Sequence, residues 1–563
     1  MSGGDAMRLF RYFALLACFA LLPSLALPQD GVTLGVPFDF PLLLSGNFAE
    51  LRSNHFHSGI DFKTQGVVGK PIQCVADGYI CRATVRPGGY GLALYVMHDN
   101  GYMTVYGHLD SFPADIGRRI REYQYENECF PVDMTFAPGE YRLRRGDFLA
   151  FAGNTGYSFG PHLHFEVRDS TGNVLYDPMP FYRDVLTDTR PPEISALAVY
   201  PNPGSGVVQG GTESLVYEFS SAVLRDTVSA WGKVGFGIKA LDFMDNTTNK
   251  YGVYKIDFFV DGVKRFSSTM DSFSFSEDRA INAWLDYDRC VGENQWFQRL
   301  HVLDNNRLGQ LCAGPDKGWV VIDEERLYNM ECVLSDCHGN TSRYRFVVKG
   351  ERSEIENEIP CTHTLLWAAD NRVEYMGMKL DIPANELFEN AFLNVGVSGG
   401  DGVSWRYNFG DKLLPLWHGG TISIWVGKKN ADEAGKLYVR RVTGKGYSPV
   451  GGRYDMGWMT AEINTIGSYE VALDTVPPQL VFVNEDRWQR TGRMAFTFAD
   501  DTDMGSFKGT LDGDFVLFVH NSKNSTLVLD LKKENVARGK HHLRLSVTDT
   551  CGNEAVFEKE FEY

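Results

Sequence analysis

The stretch Gly153-Asn154-Thr155-Gly156-Tyr157-Ser158-Phe159-Gly160-Pro161-His162-Leu163-His164-Phe165-Glu166-Val167-Arg168 opens as a glycine-rich loop and ends as an alternating strand. With a side-chain period of two, His162, His164 and Glu166 share one face, and Leu163, Phe165 and Val167 share the other. Two imidazoles and a carboxylate beside three apolar residues are costly to bury unless the polar face lines a cleft. Taken alone, the strand fits a metal site and a solvent-exposed sheet face equally well, because polar-out alternation is common in antiparallel sheets.

Working outward, the chain has 13 histidines, and five of them fall in three short islands: His55 and His57, His108, and His162 and His164. The first island is Asn54-His55-Phe56-His57-Ser58-Gly59-Ile60-Asp61-Phe62. His57 and Asp61 offer a neutral nitrogen and an anionic oxygen, with Gly59 letting the chain curl between them. Adding His164 makes a set of two nitrogens and one oxygen with the fourth position open to water. That open position separates a catalytic zinc site from a closed structural one. No His-Glu-x-x-His helix occurs, which excludes a thermolysin-like arrangement.

Three motifs in order, His57-Ser58-Gly59-Ile60-Asp61, Val105-Tyr106-Gly107-His108-Leu109, and Gly153-Asn154-Thr155-Gly156 running into Gly160-Pro161-His162-Leu163-His164, resemble the lysostaphin-type (LytM-like) zinc endopeptidases that cleave peptidoglycan peptides. The resemblance covers about residues 45–180. It implies Zn2+ as cofactor, His57, Asp61 and His164 as its ligands, and His108 and His162 as catalytic residues beside the metal. It also implies a small antiparallel β-sheet fold of the duplicated hybrid motif type, with a groove open at both ends. Some members of the family lack ligands and instead bind and activate other cell-wall hydrolases; here every ligand position is filled. The family pattern assigns no role to His55, and Glu166 either supports a ligand or packs within its strand. The longer stretch between His108 and Gly153 either walls the groove, packs on another domain, or is a surface insertion.

The rest of the chain carries no comparable chemistry. Its 563 residues predict several folded units, and 43% hydrophobic content with 13% aromatic content excludes a disordered or collagen-like polymer. The net charge of −17 argues against nucleic acid as a partner. Charge over residues 50–184 is nearly balanced, so most of the acidic excess lies downstream. Arg8 and Arg11 precede an apolar run that stops at Pro23, with Ser24-Leu25-Ala26 at cleavage spacing, so residues 1–26 read as a signal peptide. Met7 is an alternative start and Cys18 an alternative lipidation site. The run is too short for a transmembrane span, so the mature chain is expected to be exported, periplasmic or associated with the cell envelope. There is no C-x-x-C pair; Cys74 and Cys81 either face each other across a hairpin or remain free.

Short alternating or β-branched runs bounded by turn residues recur to the C-terminus, so the protein is expected to be mostly β. Asp188-Thr-Arg-Pro191-Pro192 is echoed by Asp474-Thr-Val-Pro477-Pro478, and Asp336-Cys-His-Gly339-Asn340 by Asp549-Thr-Cys-Gly552-Asn553. Paired prolines mark domain starts, and Asp-x-x-Gly-Asn suits a hairpin turn before a last strand. The expected organisation is a metallopeptidase domain at 30–186, an immunoglobulin-like β-sandwich at 187–350, a β-rich domain at 351–473, and an immunoglobulin-like β-sandwich at 474–563. The sandwiches are candidate surfaces for a cell-envelope protein partner.

Overall fold

A computed structural model describes residues 32–400, 402–444 and 446–563, and the expected signal peptide lies outside them. As expected, the chain is mostly β, with few and mostly short helices. Seven strands form the main path of the ten-stranded sheet that carries the histidines: β1 (Leu44–Gly46), β2 (Ile60–Lys63), β3 (Gly78–Val85), β4 (Leu92–His98), β5 (Met103–Gly107), β6 (Val132–Thr135) and β7 (His162–Arg168). Their spatial order is β1-β2-β7-β5-β4-β3-β6, antiparallel throughout. Strand β7 is therefore central, with β2 and β5 as neighbours. Its apolar residues Leu163, Phe165 and Val167 are fully buried with Ile60, Phe62 and Tyr106 beneath the sheet.

Helix α1 (Ala114–Glu126) lies in the stretch between His108 and Gly153, a region without a clear helical signature beyond Ile116 and Ile120. Those two residues are its buried apolar side chains. The stretch is thus no loose surface insertion: α1 packs on the far end of the chain. Arg121 donates to both carboxylate oxygens of Glu534 at 3.0 and 2.8 Å, and Tyr125 also donates to Glu534 and meets the Phe515 ring edge-on.

The next unit is joined to the first through both backbone and core. Ser272–Ser274 pairs with Val174–Tyr176, which in turn pairs with the end of β7. This covers an edge that would otherwise present unpaired backbone groups. One continuous cluster of buried apolar residues spans both units, from Leu34 to Val348, and also takes in Phe388, Trp417 and Leu517 from further along the chain. Residues 371–466 and 396–473 supply two five-stranded sheets closing over Leu380, Ile422, Val439 and Val471. Two four-stranded sheets follow, around Met494, Phe496, Leu527 and Leu545.

The two sequence echoes meet in space. Asn340 donates to the Asp188 carbonyl at 3.0 Å and to the Asp336 carboxylate at 2.7 Å. Asn553 donates likewise to the Asp474 carbonyl at 3.1 Å and to Asp549 at 2.8 Å. In both places the hairpin turn hydrogen-bonds the Asp that precedes the paired prolines. All nine cysteines among the described residues are free, including Cys74 and Cys81.

Candidate metal centre

Pairing of β2 with β7 sets His164 directly opposite Asp61, and pairing of β7 with β5 sets His164 opposite Gly107. Gly59 is required for closeness rather than for a curl. A Cβ there would sit 2.2 Å from the Phe165 carbonyl oxygen, so only glycine lets this segment lie against β7. Asp61 Oδ1 is 3.1 Å from His57 Nε2 and 3.0 Å from His164 Nδ1, and the two nitrogens are 3.1 Å apart. All three side chains are buried. An inward-facing donor set of two imidazoles and one carboxylate, its donor atoms within 4.8 Å of one another, suits a divalent metal ion.

The far side of each imidazole decides which nitrogen is free. His57 Nδ1 is 2.6 Å from the Asn47 carbonyl oxygen, an acceptor, so Nδ1 carries the proton and Nε2 presents a lone pair to the cluster. His164 Nε2 is 2.8 Å from Glu166 Oε1 and donates to it, leaving Nδ1 for the cluster. Glu166, left open by the sequence, is thus a support for His164. It is fully buried, and it also accepts from Ser58 Oγ, from Tyr90 OH at 2.6 Å and from Arg168 Nε at 2.6 Å. This donor set and its polar support fit zinc.

Residues 55–125 match the family described as Peptidase family M23. The chain carries an M23 peptidase domain. The DD-carboxypeptidase/endopeptidase Mpg of Neisseria meningitidis serogroup B is 34% identical to it over 118 residues, 21% of this chain and 21% of that protein. The glycyl-glycine endopeptidase ALE-1 of Staphylococcus capitis is 30% identical over 148 residues, 26% of this chain and 32% of that protein. The chain thus spans about a fifth to a third of the length of these curated relatives. A zinc-containing peptidase from Vibrio cholerae is a solved structure at 27% identity and TM-score 0.20, covering 26% of this chain and 40% of that one. Residues 362–474 match a Zu5-like domain. The M23 peptidases are zinc metallopeptidases, and relatives of this domain are peptidoglycan hydrolases.

Within the M23 domain, His108 and His162 stand beside the three ligand candidates. The His108 ring centroid is 4.7 Å from that of His162 and 5.8 Å from that of His164. His108 follows β5 with a φ of 58°, in the left-handed region, which turns the chain as it leaves the sheet. Its Nδ1 donates to the Thr155 carbonyl at 2.8 Å, within the glycine-rich loop. His162 Nδ1 donates to the Gly160 carbonyl at 2.8 Å, and its Nε2 lies 3.5 Å from Asp61 Oδ1. Both rings are thus held with Nδ1 protonated and Nε2 free to accept a proton. His55 is exposed and bonds only its neighbour Ser53, outside the cluster.

Burial opposes charge at Asp61, His164 and His108, and close partners reverse it at the first two. Asp61 is held well below the usual carboxylate range, its burial outweighed by His57, His162 and His164. His164 is raised to about 9: burial works against its charge, and hydrogen bonds to Asp61 and Glu166 overcome that. Burial, with the neighbouring His162 and His164, pushes His108 down to about 3, so it rests neutral.

Tyr90, Asn47 and Arg168 were not singled out as site residues from the sequence. Arg168 was within reach, since the period that groups His162, His164 and Glu166 extends to it. Tyr90 and Asn47 had no local signal; they arrive through sheet pairing and loop packing. Gly156, at φ 69°, lies so close to Gly91 that a Cβ would sit 2.3 Å from the Gly91 nitrogen. The glycine-rich loop that begins at Gly153 therefore meets a second one, Gly88-Gly89-Tyr90-Gly91, beside the histidines.

Proposed function

We propose that the protein is an exported zinc metalloendopeptidase that hydrolyses peptide bonds in the stem or cross-link peptides of peptidoglycan. The observation that carries this reading is the convergence of His57, Asp61 and His164 on one point, with His108 and His162 alongside. In this reading His57 Nε2, Asp61 Oδ1 and His164 Nδ1 hold the metal. Zinc bound there supplies a Lewis acid for the scissile carbonyl and lowers the pKa of water towards about 7.

The chain's own residues do the remaining work. His57 and His164 are oriented by Asn47 and Glu166, so neither has to reorganise when a substrate arrives. His108 and His162 present unprotonated Nε2 atoms with which to take a proton from the attacking water. Once protonated, either ring can donate to the oxyanion and then pass the proton to the leaving amine. The complete donor set favours an enzyme over a regulator of another hydrolase. Export rests on the sequence of residues 1–26, and among the described residues no helix is long and apolar enough to cross a membrane.

The test is digestion of purified cross-linked peptidoglycan by the zinc-loaded protein lacking residues 1–26, with mass analysis of released muropeptides and a chelated control. Chelator-sensitive loss of dimeric muropeptides supports the reading and identifies the bond. No cleavage despite bound zinc overturns it in favour of a regulator.

A further inference from the structure

Away from the histidine centre, another group of side chains able to ligate a metal lies where the peptidase unit meets the next one. Asp188, Asp336 and His338 bring one donor atom each within 4.8 Å of one another. Asp188 and Asp336 are buried, and Asp188 also lines a cavity of about 20 Å3, room for one water-sized occupant. That cavity is shared between the units: Asn47, Asp177 and Met179 come from the peptidase side, and Asp188, Asp242 and Cys337 from the other.

Asp242 is not one of that group, but it faces the cavity that Asp188 lines and sets the place apart from an ordinary acidic turn. Its side chain is 5% exposed, it faces the same cavity, and its Oδ1 has no hydrogen-bond partner. A buried carboxylate oxygen left without a donor costs the full desolvation of that group. Arg190, whose charge reaches Asp242, stacks over Phe243, and Arg183, whose charge reaches Asp177 across the cavity, donates to the Cys337 carbonyl. Burial, aggravated by Asp336 and Asp188, pushes the Asp242 carboxyl up to about 8, as expected of an acid with no counterion. His338 Nε2 is 2.8 Å from the Leu186 carbonyl and donates to it, which leaves Nδ1 unprotonated, 3.4 Å from Cys337 Sγ. The later turn gathers Asp474, Asp500 and Asp549 in the same way, but among its described residues no buried carboxylate oxygen is left without a partner.

We propose that Asp188, Asp242 and Asp336, with His338 at their edge, form a second, structural metal site that takes a hard divalent cation, Ca2+ or Mn2+, and ties the peptidase unit to its neighbour. Three carboxylates against one imidazole favour an oxygen-seeking ion over a thiolate-seeking one. The ion supplies the positive charge that the cavity lacks and gives Asp242 Oδ1 its missing partner. It sits beside residues 186–190, the chain connection between the two units, so binding there fixes one against the other.

The experiment uses the full chain, preloaded with zinc, titrated separately with Ca2+, Mn2+ and further Zn2+, and followed by metal content and thermal melting. The expected result is a cation-dependent rise in Tm and one bound equivalent of Ca2+ or Mn2+ that Asp242→Asn loses while keeping the original zinc. In chelator alone, Asp242→Asn melts no lower than the wild type, because it removes a buried carboxylate from among others. Asp188→Asn serves as an independent removal should Asp242→Asn fail to fold. Absence of any Ca2+ or Mn2+ equivalent in the wild type overturns the proposal, as does an equivalent that both variants retain.

Discussion

Glu166 lies two residues beyond His164 on one strand, and its carboxylate accepts the His164 Nε2 proton at 2.8 Å. That contact determines which imidazole nitrogen faces Asp61. Replacing Glu166 with Gln keeps the shape but removes the charge that holds the ring in this tautomer. Glu166→Gln is expected to weaken zinc binding about 10- to 100-fold, the usual cost of losing a ligand's support. Competition against a chromophoric chelator measures it, and unchanged affinity would strip Glu166 of this role.

His57→Ala and Asp61→Ala each delete a donor, and two protein donors hold zinc poorly. Stoichiometric zinc should disappear from both purified variants by elemental analysis. Full metal content in either would remove that residue from the ligand set.

His162 is expected to act on the proton and the oxyanion rather than on the metal. His162→Ala should therefore retain zinc and lose about 10²- to 10³-fold in kcat on a cleavable peptidoglycan. Full activity in this variant would sink the assignment.

Gly59→Ala places a methyl group against the Phe165 carbonyl, where no flexible side chain can yield. Strand β2 must move away from β7, carrying Asp61 with it. A loss of about 1–3 kcal/mol is expected, read as a lower denaturation midpoint together with reduced zinc content. A variant as stable and as metal-rich as the wild type would contradict the close approach.

Glu534 is buried against Arg121 and Tyr125 on α1. Glu534→Ala leaves both donors without their acceptor, at a cost of about 1–3 kcal/mol to the contact. Faster hydrogen exchange in α1 with unchanged zinc content is the expected signature; unaltered exchange would mean that the contact does not hold the helix.

The ligand candidates were legible because period-two alternation places His162, His164 and Glu166 on one face whatever the rest of the fold does. Donor type added His57 and Asp61, and the family resemblance added His108. What stayed hidden depends on contacts between distant segments. Nothing near Asn47 announces that its carbonyl meets His57, and Tyr90 reaches Glu166 only after the two glycine-rich loops pack together. Helix α1 has few apolar residues because one of its faces is satisfied by Glu534 and Phe515, some 400 residues downstream. The join between the first two units was equally hidden: Ser272–Ser274 is three residues long and resembles any other short polar run. The paired prolines were visible as punctuation, yet the acids that gather around them are separated by up to roughly 150 residues.

The C-terminal unit also reaches the loops around the histidines. The Ser522 amide donates to the Pro87 carbonyl at 2.9 Å, and Lys523 donates to the Ser158 carbonyl while its ammonium stands 3.7 Å over the Phe159 ring. Synthesis runs from the N-terminus, so β7 leaves the ribosome some 350 residues before Lys523. At roughly 5–20 residues per second, that interval is on the order of tens of seconds. Throughout it the peptidase strands can pair while the rim of the centre has nothing to lean on, so the walls beside the histidines are among the last parts of the molecule to be braced.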